Sequence, residues 1–154
     1  MNFVFTDKLS KTQKNQILAI WNKEYPSVIT LNSINDFETY LSNLRDQKHI
    51  LITSESGEVK GWYFDFIRDK ERWFTIIVDT EIQGKGYGKK LLFKGKEINS
   101  ELNGWIINSS DFKKENGEIY RSPVGFYRKN GFKIFPEIKF ETDKSTTIKI
   151  KWKR

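Results

Sequence analysis

The spacing of apolar residues predicts helices in the first quarter of the chain. Apolar positions recur at helical spacing behind Ser10-Lys-Thr-Gln13, which has the form of a capping box, and the pattern ends at Pro26. It predicts a first helix over residues 10–24. A second start signal, Ser33-Ile-Asn-Asp36, predicts another helix, with a loop over residues 24–34 between the two.

From residue 48 to about residue 80 the pattern changes to short runs rich in β-branched and aromatic residues. The predicted strands cover residues 50–53, 59–67 and 73–78, with turns at 54–57 and 68–71. Short strands joined by short turns predict an antiparallel meander.

In the last part of the chain, stretches with helical spacing of apolar residues alternate with stretches that have the alternating pattern of strands. Apolar residues from Leu91 to Leu102 predict a third helix, and a strand is predicted from residue 104 to 107. A short helix over residues 124–129 is expected to end at Asn130-Gly131. The final run places apolar residues between lysines, which predicts an edge or half-exposed strand: Ile148, Lys149, Ile150, Lys151, Trp152 and Lys153.

Residues 110–122 are polar and long for a connection. Long ordered loops often serve a binding site, but a solvated insertion is the slightly favoured interpretation here. Together the elements predict an α+β fold in a single domain over residues 1–154, since a chain of this length builds one sizeable core.

Composition limits the possible chemistry. The chain has no cysteine, which excludes disulfides, thiolate nucleophiles and sulfur-ligated zinc. His49 is the only histidine and stands at the head of an apolar run, so we interpret it as a structural strand residue and predict no metal site.

The chain has a formal charge of +7, which favours anionic partners: nucleic acid, acidic proteins or polyphosphate cofactors. No run approaches the roughly 18 apolar residues that a bilayer span needs, and the first residues do not form a basic region followed by an apolar one. We therefore expect a cytoplasmic protein without a membrane partner.

Three glycines stand between an apolar run and a helical pattern in Gln83-Gly-Lys-Gly-Tyr-Gly-Lys89. The stretch is neither a P-loop nor a dinucleotide fingerprint, because both need a glycine where Lys89 stands. Glycines before a helix start still let backbone N–H groups approach an anion, and Lys85 adds positive charge. The alternative is a tight turn with surface lysines.

The stretch resembles the Gln/Arg-x-x-Gly-x-Gly/Ala signature of the GNAT superfamily of N-acetyltransferases. Phe126-Tyr-Arg-Lys-Asn-Gly-Phe132 is similar to a second element of that family, and the order of predicted elements agrees along the chain. The resemblance implies a mixed, mostly antiparallel sheet of about seven strands flanked by about four helices. The family's asparagine and alanine before the tyrosine are Tyr120 and Pro123 here, so the asparagine contact with the cofactor is not carried over.

The resemblance also implies the site. Tyr127 would be the general acid, and the end of the fourth strand at Ile77 and Val78 would pair with the pantetheine arm of acetyl-CoA, at a bulge that separates it from the next strand. An N–H near Val78 would stabilise the oxyanion. Backbone amides of the glycine stretch would bind the pyrophosphate: Gln83, Gly84, Lys85, Gly86, Tyr87, Gly88 and Lys89.

The acceptor would be an unidentified primary amine that attacks directly in a ternary complex, bound by the loops at 24–34 and perhaps 110–122. Asp65, Asp79 and Glu81 are candidates for the base, and a water chain is an alternative. The protein would be a monomer or homodimer.

The sequence is also compatible with two other functions. One is an acyl-CoA-binding sensor of the same fold without catalysis. The other, which we favour least, is a nucleic-acid-binding domain, suggested by the net charge and by Trp152 among lysines.

Overall fold

Side-chain caps begin the two N-terminal helices where the sequence predicts them. Ser10 Oγ accepts from the N–H of Gln13 at 3.1 Å and the N–H of Ser10 donates to Gln13 Oε1 at 2.9 Å, which completes the capping box. Ser33 Oγ accepts from the N–H of Asp36 at 3.2 Å. In the computed structural model, which describes residues 1–154, the helices are α1 (Lys11–Glu24), α2 (Ile34–Ser42), α3 (Tyr87–Glu97) and α4 (Val124–Lys129).

Seven strands form one sheet in the order β1-β2-β3-β4-β5-β7-β6. Only the β4–β5 pair is parallel; the other neighbours are antiparallel. The predicted mixed sheet with four helices is therefore confirmed. The strands are β1 (Asn2–Thr6), β2 (Arg45–Thr53), β3 (Val59–Arg68), β4 (Glu71–Val78), β5 (Glu101–Ile107), β6 (Lys133–Glu141) and β7 (Thr146–Lys153).

The sheet opens between β4 and β5. These strands pair only at Trp73 and Asn103, while β4 stays paired with β3 as far as Val78 and β5 stays paired with β7 along its whole length. The predicted separation of β4 from its neighbour is present, but the predicted bulge is wrong, because the β3–β4 register runs without a shift. Each strand follows its own antiparallel partner, and the gap widens toward Val78.

Two apolar cores lie on opposite faces of the sheet. The face under α1 and α2 contains stacked rings, with the centroids of Trp62 and Phe64 4.4 Å apart. The opposite face, under α3 and α4, includes Tyr63 and Tyr127. Gly95 lets α3 approach this face closely, since a Cβ there would lie 2.4 Å from the ring of Tyr63.

The predicted third helix is too long. Helix α3 ends at Glu97, and Leu102 is fully buried in β5 rather than on the helix. An apolar residue just beyond a helix end fits both helical and strand spacing. The predicted helix therefore ran on into the following strand.

The C-terminal strand is half-exposed but is not an edge, because β7 lies between β5 and β6. The Nζ atoms of Lys149 and Lys151 lie 3.5 and 3.1 Å from carboxylate oxygens of Glu71. Two of the lysines that suggested nucleic-acid binding are therefore paired within the sheet.

His49 lies inside β2 rather than at its start, and its side chain is buried. Its Nδ1 accepts from Trp62 Nε1 at 3.0 Å and its Nε2 lies 3.0 Å from Gln47 Oε1. Burial lowers the pKa of His49 from 6.5 to about 4. The structural interpretation of this residue is the one its surroundings support.

Candidate active site

The glycine stretch forms an open turn at the start of α3. Gly84 and Gly86 have φ angles of +76° and +84°, which glycine adopts without the penalty of a side chain. Gly86 caps the helix without a side chain, and the first helical bond runs from the N–H of Lys90 to its carbonyl at 3.1 Å. The preceding N–H groups of Tyr87, Gly88 and Lys89 have no partner within the helix and form an anion-binding end.

Gln83 ties this turn to the sheet. Its Nε2 donates to the carbonyl oxygen of Val78 at 2.7 Å, at the last residue of β4. The side chains of Lys85 and Lys89 are exposed at the turn, where they add positive charge to the helix end.

The free edge of β4 faces the gap. The N–H of Asp79 donates to the carbonyl of Lys60 on β3 at 2.9 Å. Antiparallel pairing alternates the direction of successive N–H groups, so those of Ile76 and Val78 point away from β3. The side chain of Ile77 is buried against α1 and α2, which leaves the backbone as the accessible part of this edge.

A first cavity of about 200 Å³ passes through the gap between β4 and β5. It joins the two faces of the sheet, because Trp21 and Trp105 belong to one core and Tyr127 and Ile106 to the other. None of its lining residues carries a charge: Trp21, Tyr25, Ile29, Phe74, Thr75, Ile76, Gly104, Trp105, Ile106, Ile107, Tyr120, Pro123, Tyr127, Ser145, Thr147 and Ile150.

Tyr127 on α4 lies in this cavity and is 7% exposed. Its ring packs against those of Phe74, Phe126 and Phe132 at centroid distances of 5.7, 5.1 and 5.2 Å. Burial, with a smaller contribution from Tyr120, raises the pKa of Tyr127 well above its ordinary value. The hydroxyl therefore keeps its proton at neutral pH.

A second cavity of about 390 Å³ adjoins the first and extends along β4 to Gln83. The two share Tyr25, Ile76 and Tyr120 as walls. Its lining is polar as well as apolar: Glu24, Tyr25, Ile76, Ile77, Val78, Thr80, Gln83, Lys114, Glu118, Ile119, Tyr120 and Arg121.

Glu24 is a site residue that sequence reasoning missed. It is 6% exposed and its carboxylate accepts from the N–H of Thr80 at 2.8 Å, from the hydroxyl of Thr80 and from Lys114 Nζ at 3.1 Å. A signal was present, because Glu24 continues the helical spacing of Ile17, Ile20 and other buried positions of α1. A carboxylate on the apolar face of a helix needs partners.

Residues 112–120 form a small hairpin over this site. The N–H of Tyr120 donates to the carbonyl of Phe112 at 2.8 Å, and Gly117 turns the chain with a φ of +88°. The N–H of Ser27 donates to the carbonyl of Lys113 at 2.8 Å, which fastens the hairpin to the loop after α1. Most of the hairpin is exposed, as expected of a solvated insertion, but Lys114 and Tyr120 also place it in the walls of the cavities.

None of the three candidate bases lines either cavity. Asp65 is fully buried and contacts Arg72 Nη1 at 2.9 Å. Asp79 lies 2.7 Å from Lys23 Nζ, and Glu81 lies 2.6 Å from Lys60 Nζ. Each of these carboxylates pairs with a basic side chain of another element.

Comparison with known proteins identifies the family. The model of the acetyltransferase (GNAT) domain matches residues 46–134, which is more than half of the chain. The protein belongs to the GNAT family of acetyltransferases. No curated protein matches the sequence at a significant level.

Solved structures share the fold at low sequence identity. An aminoglycoside 6'-N-acetyltransferase complexed with coenzyme A superposes with a TM-score of 0.71 at 12% identity, over 99% of this chain and 97% of that chain. A phosphinothricin acetyltransferase from Sinorhizobium meliloti in complex with AcCoA gives 0.67 at 16% identity, over 99% and 89%. The ribosomal-protein-alanine N-acetyltransferase from Brucella melitensis gives 0.67 at 17%, over 98% and 99%.

None of the helices has the length and apolar character that crossing a bilayer would require.

Proposed function

We propose that this protein transfers the acetyl group of acetyl-CoA to a primary amine by direct attack in a ternary complex. The observation that carries the proposal is the uncharged cavity in the gap between β4 and β5, which contains Tyr127 and adjoins a second cavity that leads to the glycine turn. We further propose that residues 1–154 act as one domain, because strands from both ends of the chain belong to the same sheet.

The donor would bind along the second cavity. Its pyrophosphate would accept from the unpaired N–H groups at the start of α3, where Gly84 and Gly86 keep the backbone open and Lys85 and Lys89 add charge. Its pantetheine arm would pair with the free edge of β4 near Ile77 and Val78. The thioester would then reach the shared wall of the two cavities, close to Tyr127.

The reaction forms one C–N bond and breaks one C–S bond. The neutral amine attacks the thioester carbonyl, whose oxygen gains negative charge that the N–H of Val78 would stabilise. The carbon–sulfur bond then breaks, and Tyr127 would donate its proton to the departing thiolate. No carboxylate or imidazole lines the first cavity, so the amine proton would leave through water, and water would return a proton to the Tyr127 phenolate.

Exchanging Tyr127 for phenylalanine tests the proposal. We expect Tyr127→Phe to lower the turnover of acetyl-CoA by about tenfold or more and to leave acetyl-CoA affinity unchanged, because only the departing thiolate needs the proton. Tyr63→Phe is the matched control: its hydroxyl donates to Asp65 at 2.5 Å in the core, away from both cavities.

Tyr63→Phe should therefore lose about 1 kcal/mol of stability and keep its turnover. Steady-state kinetics, calorimetric titration with acetyl-CoA and urea unfolding measure the three quantities. Unchanged turnover in Tyr127→Phe would remove this residue from the mechanism, and a protein that neither binds acetyl-CoA nor acetylates any amine would refute the function.

A further inference from the structure

We propose that the acceptor is a compact primary amine carried on an apolar, preferably aromatic, body, without an anionic group or a second ammonium group. The inference rests on the proposed function, because it names the substrate class of the same transfer. It follows from the lining, the shape and the position of the first cavity.

The first cavity offers no partner for a charged substituent. All of its 16 lining residues are uncharged, and its polar side chains are hydroxyls and indoles only. A carboxylate or phosphate buried there would lose its hydration without gaining an Arg or Lys, and a second ammonium group would lose its hydration without gaining an Asp or Glu. Amino acids, phosphorylated amines and polyamines are disfavoured for the same reason.

Aromatic rings other than that of Tyr127 form much of one side of the cavity. The ring centroids of Trp21 and Tyr25 are 4.9 Å apart in an edge-to-face pair, and Trp105 stacks on Trp73 at 5.2 Å. Tyr120 completes this side from the hairpin. Rings of this kind gain most from an apolar or aromatic guest, and their faces tolerate an ammonium group as it enters.

The size of the cavity limits the acceptor further. A volume of about 200 Å³ equals that of about seven water molecules at ~30 Å³ each. A single ring with a short aminoalkyl arm fits this space, whereas an oligosaccharide with several amino groups does not.

The second cavity, along the path proposed for the donor, is lined by several charged side chains. Glu24 there is already paired with Lys114, whose Nζ lies 3.1 Å from its carboxylate. Ile29, Trp105 and Thr147, which line the first cavity but not the second, carry no charge. The acceptor is therefore selected by apolar contact.

A panel of amines tests the class. We expect kcat/KM for 2-phenylethylamine to exceed the values for spermidine, glycine and kanamycin by about tenfold or more. Equal or faster transfer to any of the other three would overturn the class and leave the proposed function standing. Binding of acetyl-CoA without transfer to 2-phenylethylamine would also overturn the class, whereas no binding of acetyl-CoA would refute the function beneath it.

A charge placed in the wall provides the second test. Ile29 is half-buried and lines the cavity, whereas its neighbour Val28 is 41% exposed and does not. Ile29→Glu should raise the ratio of spermidine to 2-phenylethylamine turnover by about tenfold, because the new carboxylate pairs with the second ammonium group. Val28→Glu should leave the ratio within about twofold, since a surface charge pair contributes little.

A second pair of variants protects this test against misfolding. Thr147→Asp places the charge on another lining residue, on β7, and Thr146→Asp at its exposed neighbour is the control. Acetyl-CoA affinity, measured by calorimetry, verifies that each variant is folded. If both wall variants bind acetyl-CoA and neither changes the ratio relative to its control, the cavity is not the acceptor site.

Discussion

Gly86 and Gly57 share a backbone conformation but not a location. Their φ angles are +84° and +88°, and a Cβ at either position would meet no atom within 4 Å. Gly57 lies in the turn between β2 and β3, whereas Gly86 caps α3 in the proposed pyrophosphate site. A valine at either position would lower stability only through its unfavourable positive φ angle, which costs about 1–2 kcal/mol.

This pair gives a prediction about donor binding. Gly86→Val and Gly57→Val should lose similar free energies of unfolding, but only Gly86→Val should weaken acetyl-CoA binding, by about tenfold or more, because its strain is relieved by moving the N–H groups that bind the anion. Urea unfolding and calorimetric titration measure both effects. Equal affinities in the two variants would place the pyrophosphate elsewhere.

His49 predicts how stability depends on pH. Its pKa is about 4 in the folded protein, against 6.5 as the ordinary value. Below pH 6.5 His49 binds a proton in the unfolded chain but not in the folded one. The free energy of unfolding therefore falls as the pH is lowered from 6.5 to about 4.

At pH 5 the loss amounts to about 2 kcal/mol relative to pH 7. His49→Gln removes this titration and keeps an acceptor for the indole N–H of Trp62. Urea unfolding at the two pH values should show a drop for the native protein that is larger than for His49→Gln by about that amount. Parallel pH profiles would contradict the assignment.

At the scale of elements, the hairpin over residues 112–120 and the end of α1 meet through one buried ion pair. The side chains of Lys114 and Glu24 are 14% and 6% exposed, whereas the neighbouring Lys113 is exposed and donates no side-chain hydrogen bond to the loop after α1, which it meets through its carbonyl. The pair fastens a wall of both cavities to the loop that precedes α3, because Glu24 also accepts from Thr80.

Lys114→Met should therefore loosen the hairpin. Removing the cation leaves a buried carboxylate without one of its partners, which costs about 1–3 kcal/mol. Hydrogen exchange should accelerate over residues 112–120, and KM for acetyl-CoA should rise. Lys113→Met, with the same chemical change on an exposed side chain, should change neither measurement; equal effects would mean that the pair has no special role.

At the scale of the whole molecule, 27 Lys and Arg residues exceed 20 Asp and Glu residues and produce the formal charge of +7. A positive field accelerates the approach of an anionic donor and is screened by salt. The association rate constant of acetyl-CoA, measured by stopped-flow fluorescence, should fall several-fold between about 0.05 M and about 0.5 M salt. S-acetylpantetheine, which lacks the phosphates, is the control and should associate at a rate independent of salt.

Local signals were enough to predict much of the fold. The caps at Ser10 and Ser33, the meander and the glycine turn depend on residues close together in the chain, and each lies near its predicted place. The end of α3 was predicted wrongly, and of the two alternatives for β7 only the half-exposed strand is correct, because a periodic pattern records burial and not which strand lies alongside.

The sequence by itself determined the turn at Gly84 and Gly86, since positive φ angles and a helix start are properties of a few neighbouring residues. The resemblance of this stretch and of residues 126–132 to known motifs indicated the family. Only the tertiary structure decided what surrounds Tyr127. The gap between β4 and β5, the burial of Glu24 and the uncharged cavity bring together residues from both ends of the chain. Their chemistry depends on distances that no local pattern contains.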